Sequence, residues 1–136
     1  MTKNIQIHPL IAKIKDEIIS NRRYFHKYPE LSFQEFNTSD VIQKKLKQMK
    51  IEVKSGIAKT GLLGTINGSQ NGKTIALRAD MDALPIQETS DVPYKSVNKG
   101  VMHACGHDGH IAMLLGAASV LNQIRDKLNG TVKLIF

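Results

Sequence analysis

Residues 110–136 read HIAMLLGAASVLNQIRDKLNGTVKLIF, and residues 74–79 upstream read TIALRA. Ile111, Leu114, Leu115, Ala118 and Leu121 recur at the three- and four-residue spacing that gathers side chains on one side of a helix, which predicts a helix over 110–128. Asn129-Gly130 is a helix-stop pair, and the residues after it, 131–136, suit a strand. Strand, crossover helix and strand build a parallel pair, because parallel neighbours cannot be joined by a tight turn. The fold class is therefore α/β, a layered sheet with flanking helices. A strand over 131–136 would lie centrally in such a sheet, and a sheet that stopped there would show a sticky edge.

Working outward, residues 9–23 alternate Leu10, Ile11, Ile14, Ile18 and Ile19 with charged positions, the pattern of a one-sided helix. Tyr28-Pro29 breaks it, because the residue before proline is pushed out of the helical region. Ser32 and Glu35 have capping-box spacing ahead of a second helix, whose buried stripe would be Val41, Ile42, Leu46 and Met49, ending near Lys50. Residues 51–58 and 62–67 read as strands joined in a hairpin around Thr60-Gly61. A polar turn over 67–72 leads to the strand at 74–79. From Ala83 to about Ala104 no periodicity is visible, and irregular stretches of about 20 residues inside compact domains are often functional.

The chain has 136 residues, 41% of them apolar, enough for one domain or part of one with a real core. No apolar run reaches the roughly 20 residues of a membrane span, and residues 1–9 lack the apolar stretch of a secretion signal. The single cysteine excludes an internal disulfide, and together these features suggest a cytoplasmic setting. The net charge of +7 raises the question of nucleic acid. Residues 1–60 carry 12 Lys and Arg against 6 Asp and Glu, whereas residues 61–136 carry 7 against 6. The excess lies at Lys44, Lys45, Lys47 and Lys50, a solvated helix face, so neither a nucleic-acid nor a membrane partner is expected.

The chemistry concentrates in the nearly neutral second half. His103, Cys105, His107, Asp108 and His110 are five metal ligands or proton carriers within eight positions. Residues two apart on a helix point about 200° away from each other, so Cys105 and His107 can share an ion only where the backbone is not yet helical. Gly106 and Gly109 permit such a backbone. Thiolate with imidazole suits zinc or a similar transition metal; the competing reading is a buried cysteine beside surface histidines.

Asp80 and Asp82 follow the strand at 74–79, at the carboxyl end where open α/β sheets place their sites. One would ligate and the other accept the N–H of a metal-bound imidazole, or both would cap the loop as Asx turns. Arg78 would then pair with a strand-end aspartate. His26, with Pro29, Glu30, Ser32 and Glu35, has no ligand spacing and reads as capping and loop packing. His8 reads as a surface residue, and Tyr94 and Ser96 as loop residues able to line a pocket.

Three strings in order, HKYPELSFQE at 26–35, LRADMDALP at 77–85 and MHACGHDGH at 102–110, resemble the amidohydrolase branch of the zinc aminopeptidase/carboxypeptidase clan. That branch holds N-acyl-amino-acid amidohydrolases, hippurate hydrolases and auxin-conjugate hydrolases, and the resemblance runs from about residue 18 to residue 136. It implies a two-domain enzyme, with a catalytic α/β domain and an inserted lid that often mediates dimerisation, acting on small N-acyl amino acids or peptides. Two divalent ions are implied, whether zinc, manganese, cobalt or nickel. By position, Cys105 and His107 match metal ligands, and Asp82 matches the catalytic-site aspartate that orients a ligand beneath the metals. Asp80 stands where distant cousins carry a ligand histidine, and it is taken, with Asp108, as supporting.

In relatives, the strand matching 131–136 runs into two adjacent glutamates, one a general base and one a ligand, with further ligand histidines and the lid beyond. These have no counterpart here. Residues 1–136 are thus expected to be part of the catalytic domain, without its carboxy-terminal half and the lid, and inactive alone. Two other readings stand beside this one: a cysteine-nucleophile hydrolase using Cys105 with His107 or His110, and a non-catalytic metal-binding or partner-pairing remnant.

Overall fold

The structure, a computed structural model, describes residues 9–136; His8 lies outside the described residues. Helix α1 spans Pro9–Lys27 and α2 Phe36–Gln48; strands β1, β2 and β3 span Glu52–Ile57, Gly61–Asn67 and Gln70–Arg78. Helix α3, His107–Gln123, leads through a single 3-10 turn into β4, Asn129–Ile135. The strand order is β1-β2-β4-β3, with β1 and β4 both antiparallel to β2 and β3 parallel to β4. The crossover through α3 is thus the parallel connection expected. β4 is internal, flanked on both sides, and the open edges belong to β1 and β3 instead.

Period-two burial in β2 sends Leu62, Gly64 and Ile66 toward the helices. There they meet Leu134 of β4, Ile42 and Leu46 of α2, Phe25 of α1, and Ile111, Leu115 and Ala118 of α3. Gly64 leaves little room at this layer: a Cβ there would come within 3.3 Å of the Leu134 side chain. The predicted faces of α2 and α3 are the buried ones. The stripe of α1 is only partly so: Ile14 and Ile18 pack over Gly116 of α3, whereas Ile11 and Ile19 stay exposed. Burial in α1 deepens toward its carboxyl end, at Asn21, Phe25 and His26.

Two local expectations are corrected. Glu35 makes no capping bond. Glu30 caps α2 instead, its carboxylate accepting the backbone N–H of Asn37 at 3.1 Å, and the N–H and hydroxyl of Thr38 at 2.7 and 2.8 Å. A carboxylate at a helix amino terminus satisfies orphan donors and complements the dipole. Glu35 turns inward and accepts the Thr60 hydroxyl at 2.7 Å. Asn129-Gly130 opens β4, while α3 already ends at Gln123. Gly130 has φ +94°, and a Cβ on it would lie 2.1 Å from the Lys73 carbonyl oxygen. The glycine serves close approach of β3 to β4, where the register shifts between Gln70 and Thr74.

Gly130→Ala is therefore expected to destabilise the chain by about 2 kcal/mol or more, from a disfavoured φ and the clash with Lys73. Gly109→Ala, in open helical space with nothing within 4 Å, should be neutral or stabilising by about 0.5 kcal/mol. Urea unfolding of both variants measures the contrast; equal midpoints would contradict it.

Candidate metal centre

The carboxyl end of β3 and the first turn of α3 meet at the top of the sheet. Between them runs the irregular segment 83–104, secured at one end by a bridge between Leu31 and Ala83 and within by one between Leu84 and Met102. The chain leaves β3 through Ala79, whose N–H donates to the Ile135 carbonyl at 2.9 Å. Asp80 and Asp82 follow, lining a cavity of about 310 Å³ together with Phe33, Thr60 and Phe136.

The two carboxylates serve different partners. Asp80 Oδ1 accepts from Arg78 Nε at 2.9 Å and Nη2 at 2.6 Å, an exposed pair, as the ion-pair alternative for Arg78 anticipated. Asp82 turns to the helix: its Oδ1 and its carbonyl oxygen both accept from His107 Nδ1 at 2.9 Å. Two acceptors on Nδ1 place a proton there, and Nε2 makes no hydrogen bond among the described residues. Asp82 thus accepts an imidazole N–H, one of the two roles offered for the aspartate pair, while Asp80 is engaged by Arg78.

Cys105 is exposed and free. Gly106, at φ +90°, turns the backbone just before α3 begins, so Cys105 stands off the helix, as convergence with His107 requires. Asp108 is buried at the next position and faces α1, where it receives Arg22 Nε at 2.9 Å and His26 Nδ1 at 2.7 Å. Among the described residues no group of three or more His, Cys, Asp or Glu side chains is arranged to hold a metal ion. The donors that fit a divalent ion are thus a thiol without a hydrogen bond and an imidazole held through one nitrogen. A carboxylate-anchored imidazole is the customary form of a metal-ligating histidine.

Sequence reasoning missed a second cluster. His26 is buried with Glu88, whose Oε1 lies 3.0 Å from His26 Nε2. Glu88 also accepts from the Ser90 hydroxyl and from the Ser96 N–H at 2.7 Å. Tyr94 stands edge-on to His26, with Arg22 and Arg23 over its ring. No spacing could have revealed this cluster, since His26, Glu88 and Asp108 come from three segments. His103 is buried as well, and among the described residues neither of its ring nitrogens has a hydrogen-bond partner. Burial holds its pKa down to about 4, against the weaker upward pull of Asp108, so the ring is neutral at pH 7.

Residues 76–136 match the model of Peptidase family M20/M25/M40. The chain is 51% identical over 127 residues to thermostable carboxypeptidase 1 of Saccharolobus solfataricus, covering 93% of this chain and 32% of that protein. It is 45% identical over 136 residues to an N-acyl-L-amino acid amidohydrolase of Geobacillus stearothermophilus, covering 100% of this chain and 36% of that one. Its fold superposes with TM-score 0.88 on a dinuclear metal-binding M20 peptidase of Bacillus subtilis, at 46% identity, covering 92% of this chain and 35% of that structure. The chain thus resembles Peptidase family M20/M25/M40, in its second half by the family model and over nearly its whole length by these relatives. It spans about a third of the length of the curated M20 relatives it matches.

Burial pushes the Glu88 carboxyl upward, but hydrogen bonds from His26, Ser90 and Ser96 outweigh it and hold the pKa down, from 4.5 to about 2. The unfolded chain therefore takes up this proton first as pH falls. The stability Glu88 contributes is complete above pH 4.5 and drains away between pH 4.5 and about 2. Urea titrations across that window should show a loss in the wild type that is smaller in Glu88→Gln. Parallel curves would refute the assignment.

Proposed function

We propose that this chain forms part of the metal-binding floor of an M20 hydrolase that cleaves the amide bond of N-acyl amino acids or small peptides with two divalent ions. Cys105 and His107 are the protein ligands on this segment, Asp82 orients His107, and Asp80 and Asp108 support the backbone on either side. The observation that carries this reading is the bond from His107 Nδ1 to Asp82, which fixes the tautomer and presents Nε2 as a donor. The family match and the two carboxypeptidase and amidohydrolase relatives support the reaction class.

A divalent ion held there supplies Lewis acidity toward an amide carbonyl and toward water. The chain's own residues bind and orient: Asp82 keeps the imidazole proton on Nδ1, and the turn at Gly106 carries the thiol to the open side of α3. Zinc or manganese suits this donor pair, zinc more closely because of the sulfur. A free, exposed Cys105 is in keeping with a cytoplasmic setting. A cysteine nucleophile would need an imidazole bonded to its thiol, whereas the Cys105 thiol makes no hydrogen bond among the described residues.

Cobalt(II) is expected to bind the purified chain with a thiolate charge-transfer band that Cys105→Ala abolishes. Asp82→Asn should weaken binding about tenfold, the customary cost of losing an orienting partner. Two protein donors fall short of the three in catalytic zinc sites, so turnover of N-acetyl amino acids by the 136-residue chain should be negligible. Absence of any metal-dependent absorbance under reducing conditions would sink the proposal.

A further inference from the structure

The reading above leaves His26 unused, yet its surroundings are those of a built device. It is 4% exposed and stands between two carboxylates that are themselves nearly inaccessible, Asp108 at 1% and Glu88 at 2%. Its two ring nitrogens lie 2.7 Å from Asp108 Oδ2 and 3.0 Å from Glu88 Oε1, so a carboxylate holds each edge of the ring. One carboxylate belongs to the first turn of α3 and the other to the irregular segment 83–104, while His26 belongs to α1. Three parts of the chain therefore close on a single ring.

Asp108 follows His107 directly, and successive residues on a helix project about 100° apart. His107 is tied to Asp82 at the end of β3, and Asp108 is tied to His26 and Arg22 on α1. A single tether leaves a helical turn free to roll about it. Two tethers a quarter turn apart, to elements on different sides, fix both azimuth and height. We propose that His26 is a positioning residue of the metal centre: acting through Asp108, it locks the roll of the first turn of α3 and so directs His107 Nε2 to the ion. The proposal rests on the assignment of Cys105 and His107 as ligands.

Glu88 completes the device from the far side. It holds the ring by Nε2 at 3.0 Å and is held in turn by Ser90 and Ser96, so His26 cannot swing away from Asp108. A role limited to stability would lower the melting temperature of a His26 variant and leave the metal geometry of its folded fraction unchanged. A positioning role changes the geometry itself.

The test uses the 136-residue chain as wild type, His26→Gln and Arg22→Gln, each checked for folding by circular dichroism. Arg22 is 39% exposed, so its variant tests the same tether where loss of the buried ring prevents folding. Two readouts apply: cobalt(II) affinity with its visible spectrum, and, without metal, imidazole ¹⁵N spectra reporting the His107 tautomer. We expect His26→Gln to weaken cobalt binding about tenfold or more, to alter the ligand-field bands, and to release His107 from a single Nδ1–H tautomer. Arg22→Gln should move both readouts the same way by less. A folded His26→Gln chain with wild-type affinity, bands and tautomer overturns the proposal. Should His26→Gln not fold, the same null result in Arg22→Gln overturns it. A wild type that takes up no cobalt defeats the ligand assignment instead, and a His107 tautomer still fixed in the variants then defeats the tether too.

Discussion

The bond between His107 Nδ1 and the Asp82 carboxylate joins two parts of the chain that the topology alone only brings near. β3 ends below Asp82, α3 starts at His107, and 25 residues separate the pair. The parallel crossover sets the helix over the sheet, but a helix packed by Ile111, Leu115 and Ala118 retains freedom at its first turn, where backbone N–H groups lack intrahelical partners. A charge-assisted bond at that turn limits the freedom, and because it is accepted at 2.9 Å by both the side chain and the carbonyl of Asp82, it constrains ring plane as well as position. The orientation of the imidazole follows from the strand.

The segment 83–104 is held on a different principle. It contributes little to the apolar core and is secured by polar anchors: Val97 N–H to the Lys27 carbonyl, Asn98 Nδ2 to the Pro29 carbonyl, and Ser96 N–H to Glu88. Burying two carboxylates and an imidazole is costly unless each finds its partners, and here each does. Such a network is directional where hydrophobic packing is not, so it specifies one loop path. Its weakness is acid, since Glu88 must stay ionised to hold its three donors.

The fold was legible because it depends on short-range patterns: the spacing of Ile111 to Leu121, the alternation in β2, the break at Pro29. Where the reading failed, a long-range contact had overridden a local signal. Ser32 and Glu35 have capping-box spacing, but Glu30 lies where its carboxylate reaches Asn37 and Thr38, and Thr60 draws Glu35 inward. Asn129-Gly130 resembles a helix stop, yet the glycine answers a steric demand from Lys73, a residue 57 positions earlier in the sequence. The site shows the same division. Asp82, Cys105 and His107 were visible as short spacings, and Asp82 does meet His107. Glu88 carries no local mark at all, and His26 was set aside because its neighbours in sequence are not its neighbours in space.

The two donors assigned to the ion differ in how far the protein fixes them. The His107 ring is fixed before any ion arrives. Cys105 lies outside the helix, beyond a residue whose left-handed φ of +90° only glycine takes readily, and its thiol has no hydrogen bond to hold it. A Cβ on Gly106 would meet nothing within 4 Å, so the glycine answers a conformational need and not a steric one. Were Gly106 helical, Cys105 and His107 would stand on one helix about 200° apart and could not share an ion. The turn thus makes convergence geometrically available, while the unanchored thiol leaves the sulfur free to settle at the bond length a given metal prefers.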